Sequence, residues 1–197
     1  MLDLLLPVYG AVFIFTVFFL RTLIVWKKTG INAYALLKQS GPNGVIGLYF
    51  KLIPAICLMA IAIFSFFPEH YSQLGPIVLL ESPLGEVCGS ALLLGSLVLI
   101  SIAQAQMGRS WRIGIDMENR TDLVTGGLFA YSRNPIFLGM KLTTLGLFLI
   151  MPNAITLSGL VLSVAVIDIQ VALEEQHLTK LHGQPYADYC KRVRRWI

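Results

Sequence analysis

Two short stretches hold the residues able to do chemistry. The first, "TDLVTGGLFAYSRNPIFLG" (Thr121 to Gly139), sets Arg133, Asn134 and Pro135 directly before the apolar run Ile136, Phe137, Leu138. Pro135 suits the first turn of a helix, so Arg133 stands beside a helix N-terminus, where free N–H groups and the helix dipole already favour an anion. A cation added there makes a carboxylate or phosphate site. Anchoring of the helix to anionic headgroups is the competing reading, and the residues alone leave both open. Gly126 and Gly127 bend the chain but form no nucleotide fingerprint, since no strand precedes them and the G-x-G-x-x-G spacing is missing. The second stretch, "LEEQHLTKLHGQPYADYCKRVRRWI", places Glu174 and Glu175 at the end of an apolar helix, with residues 174, 177, 178 and 181 on one face. Adjacent carboxylates mark where a helix leaves the membrane, which accounts for one glutamate better than for two. Cys57, Cys88 and Cys190 show no paired spacing and read as reduced and structural, while His70, His177 and His182 are too few for a zinc site, so no metal is expected.

Helices must position these residues. Of 197 residues 56% are hydrophobic and 13% charged, and the mean hydropathy of +0.73 lies far outside the soluble range. The chain therefore reads as an all-α, polytopic integral membrane protein. A hydrocarbon core of ~30 Å needs about 20 apolar residues in a helix, and Leu2 to Trp26, Val45 to Phe67 and Leu84 to Ala105 meet that length. Ile136 to Ile150 and Ile155 to Ala172 follow as a helical hairpin about Met151, Pro152 and Asn153. The first arm of this hairpin rises only about 22 Å, so either the bilayer thins there or the end of the hairpin sinks into protein. Asp3 in place of a basic leader makes residues 1–26 a helix rather than a signal peptide. No linker separates a second domain. Residues 1–197 read as one, with three membrane helices in 1–105 and the polar loop, hairpin and tail in 106–197.

Orientation follows from the basic residues. Lys27, Lys28 and Lys38 lie in the first loop, Arg109, Arg112, Arg120 and Arg133 in the third, and Lys180, Lys191, Arg192, Arg194 and Arg195 in the tail. The alternate segments carry Asp3, Glu69 and Glu81 and no Lys or Arg. The expectation is five crossings of a cell membrane, with the N-terminus outside and the C-terminus cytoplasmic. Tyr186, Tyr189, Cys190, Val193 and Ile197 form an apolar stripe opposed by basic residues, which predicts a short C-terminal helix lying on the membrane interface. Arg21, Lys51 and Lys141 sit close enough to cytoplasmic helix ends to snorkel, and a hairpin folded at Pro152 would bring Asp168 toward Lys141. Gly85, Gly89 and Gly95 with Ser96 give small-residue spacing for close helix packing. Charges at mid-helix and inverted broken helices, the marks of a transporter, are absent from the sequence.

"GLFAYSRNPIFLG", followed after a short hydrophobic hairpin by "EEQHLTKLHGQPYADYCKRV", resembles the C-terminal half of the isoprenylcysteine carboxyl methyltransferase and phospholipid methyltransferase family. That family's pattern is Gly-x-Tyr-x-x-x-Arg-His-Pro-x-Tyr-x-Gly, then Glu-Glu-x-x-Leu-x-x-x-Phe-Gly-x-x-Tyr-x-x-Tyr. The likeness runs over about 75 residues, Thr121 to Trp196. It implies an integral membrane enzyme that transfers a methyl group from S-adenosylmethionine, leaving S-adenosylhomocysteine, at the cytoplasmic face. Thr121, Asp122, Leu123, Val124, Phe129, Asn134, Pro135 and Phe137 fall where the family holds the cofactor, and Arg133, Glu174 and Glu175 fall on its Arg-His-Pro and Glu-Glu positions. Asn134 replaces the histidine, which excludes an obligatory His base at this position. Phe129 and Phe137 replace tyrosines, and His182 replaces the Phe before Gly183. Prenylcysteine-specific members carry an arginine one turn before the Glu pair, where Gln170 and Val171 stand here, which argues against a prenylcysteine carboxylate.

The implied cofactor carries a sulfonium, an ammonium and a carboxylate. Arg133 suits the carboxylate and Glu174 or Glu175 the ammonium; backbone groups from Leu123 to Gly126 with Phe129 could seat the adenine. A carboxylate acceptor needs no base, whereas an amine must lose a proton and gives the second glutamate a role as general base. The expected acceptor is lipophilic, a prenylcysteine-like carboxylate, a lipid amine or similar, entering laterally from the membrane lipids, with Arg109, Trp111 and Arg112 as its candidate contacts; nucleic acid is not an expected partner. Two other readings stay open at this point. One is an NADPH-dependent membrane reductase sharing the hairpin, and the other a nonenzymatic scaffold.

Overall fold

The computed structural model describes residues 2–30, 42–112 and 122–197; Lys38, Arg120 and Thr121, named above, lie outside them. The described part is helical throughout, with one isolated bridge between Pro76 and Asn153. The first apolar run forms α1 (Leu2–Ile14) and α2 (Arg21–Thr29), joined without a break by a π-helical turn, Phe15–Leu20. Next come α3 (Pro42–Phe66) and α4 (Pro83–Met107), linked by the 3-10 turns Pro68–Leu74 and Val78–Leu80. The hairpin follows as α5 (Pro135–Ile150) and α6 (Ala154–His182), and α7 (Gln184–Arg192) ends the fold. By length and composition four helices can cross a membrane: Leu2–Thr29, Gly44–Phe66, Pro83–Ser110 and Ala154–His182. The fifth run folds as the 16-residue α5, which at about 1.5 Å per residue rises about 24 Å, short of the ~30 Å hydrocarbon core.

The helices close on one another: α5 packs on α4 and α6, α6 on α3, α3 on α1, and the π turn returns to α4. Apolar side chains supply no drive for helices to associate in lipid, so close approach of backbones must do it. The α4–α5 contact is built that way. A Cβ on Gly89 would stand 2.6 Å from the Gly146 carbonyl and 2.7 Å from Ile150, and one on Gly139 would strike Ile100. Between these contacts the buried hydroxyls of Ser96 and Thr143 bond each other at 2.9 Å, tying the two helices with polar groups that lipid could not satisfy. Gly95, by contrast, faces open space. The hairpin turn is held by a capping box, in which Asn153, fully buried, accepts from the Thr156 N–H at 2.9 Å and returns its own N–H to the Thr156 hydroxyl. The 68–82 loop then bonds to that turn through Ile77 N–H to Pro152 C=O and Ala154 N–H to Gly75 C=O.

Two features went unsignalled by hydropathy. The π turn frees backbone groups, and Gln104 of α4 donates to the Val17 carbonyl at 3.1 Å in compensation. Pro54 removes a donor from the middle of α3. The α4–α5 seam makes a direct prediction. Gly89→Ala should cost about 1–3 kcal/mol by overpacking, read as a lowered melting temperature in detergent, whereas Gly95→Ala should leave melting unchanged or slightly raised.

Candidate active site

Irregular backbone beside membrane helices is tolerated where protein covers it, and the loop before the short α5 is covered in this way. Ser132, Asn134 and Pro135 are buried accordingly. What covers them is the segment after α7. The Arg133 N–H donates to the Arg194 carbonyl at 3.0 Å, and the Asn134 side-chain amide donates to the Arg195 carbonyl at 3.2 Å.

Arg133 and Glu175 form the centre of this arrangement. Both Nε and Nη2 of Arg133 donate to Glu175 Oε1, at 3.2 and 2.9 Å, while Nη1 donates to the carbonyls of Cys190 and Val193 at 3.2 and 3.0 Å. Those carbonyls belong to the end of α7, so the arginine caps that helix as well as pairing with α6. The other oxygen of Glu175 accepts from Arg195 Nη2 at 2.5 Å. The expected approach of Asp168 to Lys141 is present at 2.6 Å, and the same ammonium lies 3.9 Å from the centre of the Trp196 ring.

The helix α7 forms where the sequence placed an interfacial helix, yet its apolar stripe is not turned to lipid. Tyr186, Tyr189 and Val193 are buried against Leu123 and Leu178, with Cys190 beside them, while Ile197 is exposed. The capping of α7 by Arg133 and the turn at Gly183, whose φ of 59° favours glycine, fold the stripe back onto the protein. Tyr189 donates to the Phe129 carbonyl at 2.6 Å. Burial pushes its phenol up to about 12, so it is a neutral donor under ordinary conditions. Burial raises the Tyr186 phenol too, aided by the negative charge of Glu175.

Above this stripe lies a polar cleft, lined by Asp122, Leu123, Val124, Phe129, Arg133, Asn134 and Glu174, all anticipated from the sequence. His177, Tyr186 and Tyr189 also line it and were missed, although the helical spacing of 174, 177 and 178 was a usable signal. An apolar chamber of about 290 Å³ adjoins it, walled by Phe18, Phe50, Pro54, Ile136, Phe137 and Met140, and carrying Lys51, Gln104, Trp111 and Gln170. Arg112 and Glu174 line both cavities. A second apolar chamber continues deeper through Phe18, Phe50, Pro54 and Met140 to Cys57, Ile61 and Leu147. Both departures from regular helix, the π turn at Phe18 and the proline at 54, thus border the chambers.

The expected site residues therefore divide between these places. Phe137 faces the first apolar chamber and stacks edge-on against Phe50, rather than facing the cleft. Pro135 is buried at the start of α5, and Glu175 is engaged by the two arginines. Trp111 and Arg112 reach the chamber, whereas Arg109 is exposed and lends its carbonyl to Arg112.

The apolar helices thus enclose a polar cleft that meets an apolar chamber at Arg112 and Glu174. The chain belongs to the phospholipid methyltransferase family, whose model matches residues 84–185, from α4 into the start of α7. It is a membrane methyltransferase. The fold is similar to that of the eukaryotic intramembrane Ras methyltransferase, isoprenylcysteine carboxyl methyltransferase, with a TM-score of 0.56 and 20% identity, covering 88% of this chain and 71% of that one. No curated protein matches the sequence.

Tyr189→Phe tests the seating of α7. Removing the hydroxyl leaves the Phe129 carbonyl without its donor in a buried place, a loss of about 1–3 kcal/mol, to be read as a lower melting temperature of the purified protein.

Proposed function

We propose that the protein methylates a membrane lipid amine, with S-adenosylmethionine in the polar cleft and the lipid tails in the apolar chambers. The observation that carries this reading is that Glu174 and Arg112 line both cavities, so a polar and a lipophilic reactant meet at the same two side chains. The cleft suits the cofactor by the chemistry of its lining. Phe129, Tyr186 and Tyr189 offer faces for an adenine, Asp122 offers an acceptor for hydroxyl or ammonium groups, and Asn134 offers an amide. When bound, that cofactor supplies an electrophilic methyl group on a positively charged sulfur.

The chain's own residues do the rest. Glu174 draws a cationic or proton-bearing nucleophile to the junction and accepts the proton the amine loses; Gln170, one turn earlier on α6, lines the same chamber. Arg112 and Lys51 place positive charge on the chamber side, suited to the phosphate beside such an amine. The apolar walls hold the tails and exclude water from the junction. A carboxylate acceptor is disfavoured, because Glu174 would repel it and Gln170, rather than an arginine, stands one turn earlier. Alignment of donor and acceptor between two rigid cavities supplies much of the acceleration.

We also infer that the site end of the bundle faces the cytoplasm with the N-terminus outside. Lys27, Lys28, Arg109, Arg112 and the basic residues after Lys180 all belong to that end, while Glu69 and Glu81 belong to the opposite loop. A reporter fused after Ile197 should be active in the cytoplasm; activity only outside would reverse the orientation.

Binding and transfer test the function. S-adenosylhomocysteine should raise the melting temperature of the purified protein, and labelled methyl groups should pass to an aminophospholipid and not to a prenylated cysteine. Glu174→Gln should lower kcat by about 10²–10⁴-fold, the usual contribution of a positioned base. Stabilisation by NADPH without any effect of S-adenosylhomocysteine would contradict this assignment.

A further inference from the structure

An arginine that lines a cofactor cleft beside a helix N-terminus invites assignment as the ligand of the cofactor's carboxylate. The hydrogen bonds around Arg133 point elsewhere. Four of its guanidinium N–H contacts are committed within the protein, two to Glu175 and one each to the Cys190 and Val193 carbonyls. Both carboxylate oxygens of Glu175 are in turn occupied, one by Arg133 and the other by Arg195. Glu175 is not among the residues lining the cleft, whereas Glu174 is. The segment that carries Arg195 is itself laced to the loop before α5 through the carbonyls of Arg194 and Arg195, and Trp196 lies over Lys141, which pairs with Asp168.

We propose that Arg133 and Arg195 are positioning residues: together they grip Glu175 and segment 193–196 as a clasp, which seats the tyrosines of α7 on the cleft and leaves Glu174 as the carboxylate facing both cavities. The two glutamates thus differ in role although adjacent in sequence. A helix turns by about 100° per residue, so neighbours cannot share a face, and the clasp holds the face of Glu175 outward to the tail. Arg133 does this at a place where a lysine cannot. A single ammonium lacks the planar fork needed to serve a carboxylate and two carbonyls at once. Arg195 makes one contact with Glu175, and there a lysine suffices.

The kinetic side of this inference rests on the proposed function, but the clasp itself is testable without any ligand. In the full chain, hydrogen exchange across residues 186–197 should quicken by about tenfold or more in Arg133→Ala and in Arg195→Ala, because the segment then opens locally. Arg195→Lys should restore slow exchange and Arg133→Lys should not. Arg195 is half-exposed, so its variants keep the fold even where Arg133→Ala does not. Glu175→Gln combined with Arg195→Ala should be no worse than either alone, since the partners act through each other. Unchanged exchange in the Arg195 and Arg133 variants overturns the clasp.

A second arm separates positioning from direct contact. Arg133→Ala should weaken S-adenosylhomocysteine and 5′-methylthioadenosine, which lacks the carboxylate, by the same factor. Weakening of S-adenosylhomocysteine alone makes Arg133 a ligand and overturns the proposal. Binding of neither compound by the unaltered chain would sink the cofactor assignment, while the exchange measurement would still decide the clasp.

Discussion

The ion pair between Arg133 and Glu175 joins everything the site requires. It links the start of α5 to the end of the apolar part of α6, residues separated by 42 positions in sequence. An unpaired charge at such a place would carry a large desolvation cost, and each group here satisfies the other while the remaining guanidinium donors close the end of α7. The side chains are each only 14% exposed, so the pair is partly desolvated and its partners matter more than those of an exposed bridge. Remove either member and the loop before α5, the segment 193–196 and the tyrosines of α7 lose a common anchor.

The shortness of α5 explains why such an anchor is needed. A helix that falls short of the hydrocarbon thickness must either thin the bilayer or end inside protein. Here the loop at its start is covered by the backbone that follows α7, and the polar cleft comes to lie beside the apolar chamber rather than above it in water. The tight glycine seam between α4 and α5 fixes how α5 sits on α4, and the irregular turns at Phe15–Leu20 and Pro54 border the chamber. Local departures from helix regularity border the cavities, and at the π turn Gln104 answers the Val17 carbonyl.

Much of this architecture could be read from the sequence for simple reasons. Apolar runs bounded by Pro, Gly and charged residues placed the ends of the long helices to within a few residues, except that α6 continues past its apolar run at Ala172 to His182, and the hairpin geometry alone brought Lys141 to Asp168. The glycines of α4 announced a close packing face, although only Gly85 and Gly89 use it and Gly95 does not. The resemblance of two motifs pointed to the right family. What stayed hidden depends on tertiary pairing. The apolar stripe of α7 is compatible with a membrane surface and with a protein surface alike, and hydropathy has no means of choosing. The same limit applies to Arg133, whose anion turned out to be Glu175. The π turn has no distinct composition, so the position of Phe18 in the chamber wall was not visible beforehand.

Glu174 standing at the meeting of a polar and an apolar cavity is the claim on which the functional reading depends. A structure of the full chain in lipid nanodiscs with S-adenosylhomocysteine bound tests it most directly. The account predicts the ligand in the polar cleft, its sulfur beside Glu174 and turned toward the apolar chamber, with Arg133 still bonded to Glu175. A ligand lodged away from Glu174, or an Arg133 that has left Glu175 to hold the ligand's carboxylate, would contradict it.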